Sequence, residues 1–237
     1  MKIIIYSSTL IIFTQRLLND AAKSILGASS YLSDNNVMQI LNDVEGLSWW
    51  YGTDELDMMY ISLECLQHAG PQRQTWMDII QASPLRRLFG STWETKEKHK
   101  FKENLHHSLS QGATMLEKCF LNFEKTVLVE YSRHAVNIQH EDMTLTRLSL
   151  IATYLYASTS VLARASKAKC DGNANADIEM LNSLAYVGLM EPEIKKLITV
   201  SQESGVESLD GLIGAIGKET VNKNGYLSSH PLKRYMF

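Results

Sequence analysis

At 237 residues the chain is long enough for one sizeable core, or for two small helical units sharing an interface. Its 23 Lys and Arg stand against 26 Asp and Glu, so no broad basic surface argues for nucleic acid or an anionic membrane. Cys65, Cys119 and Cys170 are odd in number and far apart without CxxC spacing, which reads as free thiols in a reducing compartment, not a disulfide framework or zinc site.

The apolar start, Ile3-Ile4-Ile5 and Leu10-Ile11-Ile12-Phe13, is broken by Tyr6, Ser7, Ser8 and Thr9 and runs directly into an amphipathic helix. A truncated helix start fits this better than a signal peptide, and no apolar run of about 18 residues marks a membrane span. Leu10, Phe13, Leu17, Ala21 and Ile25 recur at helical spacing, with Gly27 placed as the stop. A short helix is expected after Ser33-Asp34-Asn35-Asn36, with Val37, Ile40, Leu41 and Val44 on its inner face. A turn over Trp49–Thr53 follows. Thr53 or Asp54 then caps a helix through Leu56, Met59, Tyr60, Leu63 and Leu66 that Gly70-Pro71 ends.

Residues 71–104, with two of the four prolines and a charged run at 94–102, read as a linker. Beyond it helices are expected over about 105–131, 137–169 and 177–190, with shorter pieces to about 221 and a hairpin at Asp171-Gly172. Strand-like alternation is almost absent. The expected fold is all-α, an antiparallel helical bundle divided into 1–70, a linker 71–104, and 105–237.

Two stretches carry a family resemblance. The first comprises Ser24-Ile25-Leu26-Gly27-Ala28-Ser29-Ser30-Tyr31, Met38-Gln39-Ile40-Leu41-Asn42-Asp43 and Tyr51-Gly52-Thr53-Asp54-Glu55-Leu56. It resembles, in altered form, the C-terminal helical bundle of acyl-CoA dehydrogenases. The second, Val161-Leu162-Ala163-Arg164-Ala165-Ser166-Lys167 with the closing His230-Pro231-Leu232-Lys233-Arg234, resembles the extra C-terminal helical domain of the very-long-chain and member-nine branch. Met1 then falls just ahead of the family's Tyr-Ser-Ser segment, partway through the dehydrogenase fold.

The resemblance implies an FAD-dependent oxidation of acyl-CoA in fatty acid β-oxidation, with a Glu taking the α-proton. Here that position is Tyr51, a poor base because an ordinary phenol has a pKa of about 10. No residue is assigned a catalytic role. Cofactor contact is implied for Gly27, Thr53, Asp54 and Glu55 by family position. Ser24, Ala28 and Ser30 replace residues that approach the flavin's ADP portion, and Gln39, Asn42 and Met58 replace family arginines.

The expectation is therefore a catalytically impaired, member-nine-like protein acting by binding in respiratory complex I assembly. The alternative is the C-terminal part of an active long-chain dehydrogenase. The same resemblance implies a mitochondrial location (matrix or inner membrane), a homodimer, complex I assembly factors as partners and peripheral inner-membrane contact. His106-His107, and His140 beside Glu141-Asp142, lack metal-ligand spacing and are expected on solvent-facing helices. Arg164 and Lys167 are expected on a plain surface face.

Overall fold

The computed structural model describes residues 18, 21–32, 34, 36–51, 53, 55–67, 100–203, 209–225 and 228. Five longer helices organise them: α1 (Val37–Tyr51), α2 (Ser110–His134), α3 (Asp142–Cys170), α4 (Ala176–Glu203) and α5 (Leu209–Lys223). Residues 21–26 and 55–67 are also helical, Gly27–Tyr31 forms a 3₁₀ turn, and Phe101–Asn104 adds a single helical turn. The fold is all-α, with no strand among the described residues. The expected start at Tyr6-Ser7-Ser8 and most of the 71–104 linker lie outside the described residues, as does the closing His230–Arg234 motif.

The core forms where α2, α3 and α4 pack together. Leu109, just ahead of α2, and Ala113, Leu116, Cys119, Phe123 and Val127 along it recur at helical spacing and are buried, one continuous apolar stripe. α3 is central. Leu145, Leu148, Ile151, Leu155, Leu162 and Ala165 are buried along it, interleaved with Ser149, Thr153, Ser158 and Ser166. Fully burying each Leu or Ile stabilises the folded chain by about 1.5–3 kcal/mol. The hydroxyls do not disturb this packing where they bond their own helix: Thr153 Oγ1 donates to Ser149 O and Ser149 Oγ to Thr146 O, each at 2.8 Å.

The α3–α4 hairpin follows from local chemistry at the expected Asp171-Gly172 turn. Gly172 has φ +69°, the left-handed conformation that glycine adopts without a Cβ penalty. Asn173 N–H donates to Ala168 O at 3.1 Å and Gly172 N–H to Lys169 O at 3.3 Å, which closes the helix with a Schellman motif. Across the turn Lys169 pairs with Asp177, and Arg164 Nε lies 3.4 Å from Glu179 Oε2. Arg164 itself remains largely in solvent, so its pair contributes little.

Several boundaries differ from expectation. α1 continues through Tyr51, so Trp49, Trp50 and Tyr51 are helical and not part of a turn. Leu41 is buried on α1 as expected, but Ile40 is 57 % exposed; apolar spacing alone did not say which residues find a partner. α4 runs to Glu203, well beyond the expected 190, through the interior Pro192. The proline ring leaves the carbonyl of Gly188 without its helical donor, and Gly188 is exposed to water. Ile194 and Ile198 are buried beyond it and keep the helix on the core.

Residues on either side of the expected linker join the same core. Ile61 and Leu66 of the helical residues 55–67 are buried in one cluster with Leu109, Leu116, Leu148 and Leu162. Phe101 stacks at a tilt on Phe120, ring centroids 5.4 Å apart, and its N–H donates to Glu117 Oε1 at 3.0 Å. α5 differs. Its residues are exposed except half-buried Asp210, and Asp210 pairs with Arg147 of α3.

Two substitutions test this packing. A Cβ on Gly112 would stand 3.0 Å from Leu184 Cδ2 and 3.1 Å from Leu162 Cδ2, at the crossing of all three core helices. Gly112→Val should therefore cost about 1–3 kcal/mol in urea unfolding. Pro192→Ala should have the opposite sign and raise stability by roughly 1–3 kcal/mol, because it restores a helical donor at an exposed position.

Candidate functional site

The residues to which the resemblance assigns flavin contact sit at the start of the chain's described part. Gly27 ends the helical residues 21–26 with φ +54°, and open space surrounds the place of a Cβ. After it, Ser29 Oγ donates to Leu26 O at 2.6 Å and Ser30 Oγ to Gly27 O at 2.8 Å. Ser30 is fully buried, while Ala28 is exposed. This turn packs on α1. Asp54 lies outside the described residues, as does Gly52, and for Tyr51 only its helical backbone is described.

Thr53 begins the next helix. Leu56 N–H donates to Thr53 Oγ1 at 3.4 Å and Asp57 N–H to Thr53 O at 3.2 Å, the arrangement of an N-cap. Glu55 is exposed in the first turn, where the positive end of the helix favours a carboxylate. Buried Ile61 and Leu66 then fix this helix to the core.

The Gly27–Tyr31 turn does not fit the flavin pyrophosphate that the resemblance implies. Close backbone approach to a pyrophosphate is easiest with glycine. Here the segment after Gly27 is a 3₁₀ turn whose Ser29 and Ser30 hydroxyls are turned back onto Leu26 and Gly27 carbonyls. Those two carbonyls thus each accept a hydroxyl of the turn.

A second constellation, not anticipated from the sequence, lies where the end of α2 meets the start of α3 and the end of α4. Glu130 is fully buried in the register of Phe123 and Val127, so a carboxylate stands where the stripe calls for an apolar side chain. Arg133 Nη1 donates to Glu130 Oε1 at 3.0 Å and to Ser201 O at 2.9 Å, and its Nη2 donates to Gln202 O at 2.8 Å. One guanidinium thus joins a buried carboxylate to the final carbonyls of α4, which lack helical donors. His134 Nε2 lies 3.5 Å from Glu130 Oε2, and its Nδ1 lies 3.8 Å from Glu141 Oε1. Glu130 Oε2 accepts no hydrogen bond from the described residues. Burial pushes the Glu130 carboxyl up from its ordinary value, while Arg133, His134 and Arg147 oppose the rise.

The signal for this cluster was present as Glu130-x-x-Arg133-His134 on an apolar helical register. It was missed because its partners, Ser201, Gln202 and Arg147, are distant in sequence. Nearby, Asp142, Met143, Thr146, Arg147 and Asp210 line an open cleft of about 320 Å³.

The remaining candidates are structural in placement. His106 is half-buried outside any helix; its Nδ1 pairs with Ser108 Oγ at 2.7 Å and its N–H donates to Ser166 Oγ at 2.9 Å. His107 and His140 are exposed. Among the described residues no three His, Cys, Asp or Glu side chains come together as metal ligands, and no helix is long and apolar enough to cross a membrane. Burial, with a smaller push from Glu191 and against the pull of Lys195, raises the Cys119 thiol to about 11 and keeps it protonated.

The geometry defines a helical C-terminal unit, with α2, α3 and α4 as its body. Residues 107–226 match the family model described as ACAD9/ACADV, C-terminal domain, and the chain belongs to that family. It is similar to the very long-chain specific acyl-CoA dehydrogenase, mitochondrial, of Bos taurus (22 % identical over 228 residues, covering 90 % of this chain) and of Homo sapiens (21 % over 228 residues, 90 %). The Rattus norvegicus protein is 20 % identical over 225 residues, with the same coverage of this chain. The chain spans 34 % of the length of each of these relatives.

The cap is testable by itself. Thr53→Ala should destabilise the helical residues 55–67 by roughly 0.5–1 kcal/mol, and Thr53→Ser should retain most of that, read as faster amide exchange in this helix alone.

Proposed function

We propose that this chain is part of an acyl-CoA dehydrogenase-like mitochondrial protein, impaired in α-proton abstraction, that acts by binding in the assembly of respiratory complex I. The observation that carries the reading is a division within the chain. The family-matched helices form a packed core, whereas the position of the family's base is Tyr51 and the turn at Gly27–Tyr31 does not suit a flavin. A binding role needs the first and not the second. A mitochondrial location, in the matrix or at the inner membrane, is supported by the mitochondrial designation of the relatives. A homodimer and peripheral membrane contact belong to the same proposal, supported by exposed Leu209, Leu212 and Ile216 on α5 and Ile178, Leu181 and Leu189 on α4.

The second reading is an active FAD-dependent long-chain dehydrogenase of fatty acid β-oxidation. The relatives' names favour it, as does the Thr53-capped helix that retains its place on the core. In that reading Thr53, Asp54, Glu55 and Gly27 contact the flavin.

Purification of the full-length protein separates the two. The binding reading predicts no stoichiometric FAD absorbance, no dye reduction with long-chain acyl-CoA, and co-purification with complex I assembly intermediates. Bound FAD with acyl-CoA-dependent dye reduction would establish the second reading instead. If flavin is bound but turnover is absent, Tyr51→Glu should restore activity by supplying a carboxylate at the base position.

A further inference from the structure

We propose that Arg147 is a partner-exchange latch for α5: with α5 docked its guanidinium holds Asp210, and with α5 released it turns to the buried carboxylate of Glu130. The inference does not depend on whether the protein binds or oxidises acyl-CoA.

α5 brings no side chain to the hydrophobic core, and none of its residues is buried. A helix of 15 residues without packing is marginal in water, since isolated helices need more than about 12–15 residues to persist. Among the described residues, the pair between Arg147 Nη2 and Asp210 Oδ2 is the one side-chain bond that ties α5 to another element. The other side-chain bonds of α5, from Thr220 to Ile216 O and between Lys223 and Glu219, stay within the helix.

The two partners differ in setting. Arg147 is 11 % exposed and Asp210 28 %, and both line the cleft with Asp142, Met143 and Thr146. When α5 leaves, Asp210 passes into water, whereas Arg147 keeps its charge in a largely buried place. A buried cation stripped of its partner is strongly destabilising, and this alone would oppose release.

The α2–α3 corner offers a second carboxylate. Arg147 Nη1 is buried and donates no hydrogen bond to the described residues, and Glu130 Oε2 is buried and accepts none. The two lie on packed helices, close enough for Arg147 to favour the charged form of the Glu130 carboxyl. Arg133 is engaged by Glu130 Oε1 and the α4 carbonyls, and His134 Nε2 stands 3.5 Å from Oε2. Two carboxylates thus share one guanidinium: Asp210 on a helix with no other tie, and Glu130 inside the body. Such an element has two discrete arrangements, so α5 can leave without leaving the cation unpaired.

The test uses the full chain and compares the parent with Asp210→Ala, Arg147→Gln, and Asp210→Ala in a Glu130→Gln background. Both single variants break the tether. Amide exchange at residues 211–222, corrected for intrinsic rate, should therefore quicken by about five- to tenfold. Residues 198–203, held by Arg133, should keep the parental rate. Thermal unfolding then separates partner exchange from simple loss of a pair. Asp210→Ala should stay within about 2 °C of the parent in Tm because Glu130 takes up the guanidinium, whereas Arg147→Gln should fall by about 3–8 °C. In the Glu130→Gln background Asp210→Ala should lower Tm by more than about 2 °C, since no carboxylate is left for Arg147. The latch is overturned if Asp210→Ala leaves exchange in α5 unchanged, or if it lowers Tm as far as Arg147→Gln does. Should Arg147→Gln or the double variant fail to fold, Asp210→Ala decides alone: faster exchange in α5 with Tm kept supports the latch, and a loss beyond about 2 °C overturns it.

Discussion

The mutual burial of α2, α3 and α4 is the constraint on which the rest of this structure depends. α3 packs closely on α4 because its buried positions mix large aliphatics with alanine, serine and threonine. Small residues let helices approach, and Gly112 on α2 meets Leu162 and Leu184 at that approach. Everything else is secured to this body by a few side chains: residues 55–67 through Ile61 and Leu66, the turn at 101–104 through Phe101, α5 through the Arg147–Asp210 pair. The elements differ in how much apolar surface they bring, and so in how firmly the core holds them.

Polar groups inside the body fall into two kinds. Thr126, Ser149 and Thr153 donate to carbonyls of their own helices, so their burial asks nothing of distant parts of the chain. Glu130 is the other kind. Its charge is answered by Arg133 beside it, and Arg133 reaches across to Ser201 and Gln202. A buried ion pair is poor evidence of net stability, since desolvation offsets much of its attraction. Its effect here is one of register: Arg133 meets the α4 carbonyls only when α4 extends to Ser201, which an α4 ending at 190 would not.

Much of the fold was legible because helices announce themselves locally. The apolar stripe of α2, the Asp171-Gly172 hairpin and the cap at Thr53 each rest on residues within a few positions of one another. What escaped notice depended on tertiary partners. The expected end near 190 gives no sign that α4 passes through Pro192 to bury Ile194 and Ile198. Ile40 fits an inner face by spacing, yet it stays largely in solvent. The Glu130 cluster joins residues far apart in the chain, and no periodicity within α2 points to Ser201. Family position named Gly27, Thr53 and Glu55, while the structure gives Gly27 and Thr53 roles in ending and starting helices.

Those local roles rest on the backbone at each position. Gly27 is constrained by its backbone, with φ +54°, and Thr53 by the amide it caps; neither constraint involves a bound group. Ser30 donates to Gly27 O and so strengthens the turn. The described core draws on Ile61 and Leu66, further along the chain than any of these. Gly27, Ser30 and Thr53 therefore answer to local rules for ending and starting helices, and the core cluster answers to packing past residue 60.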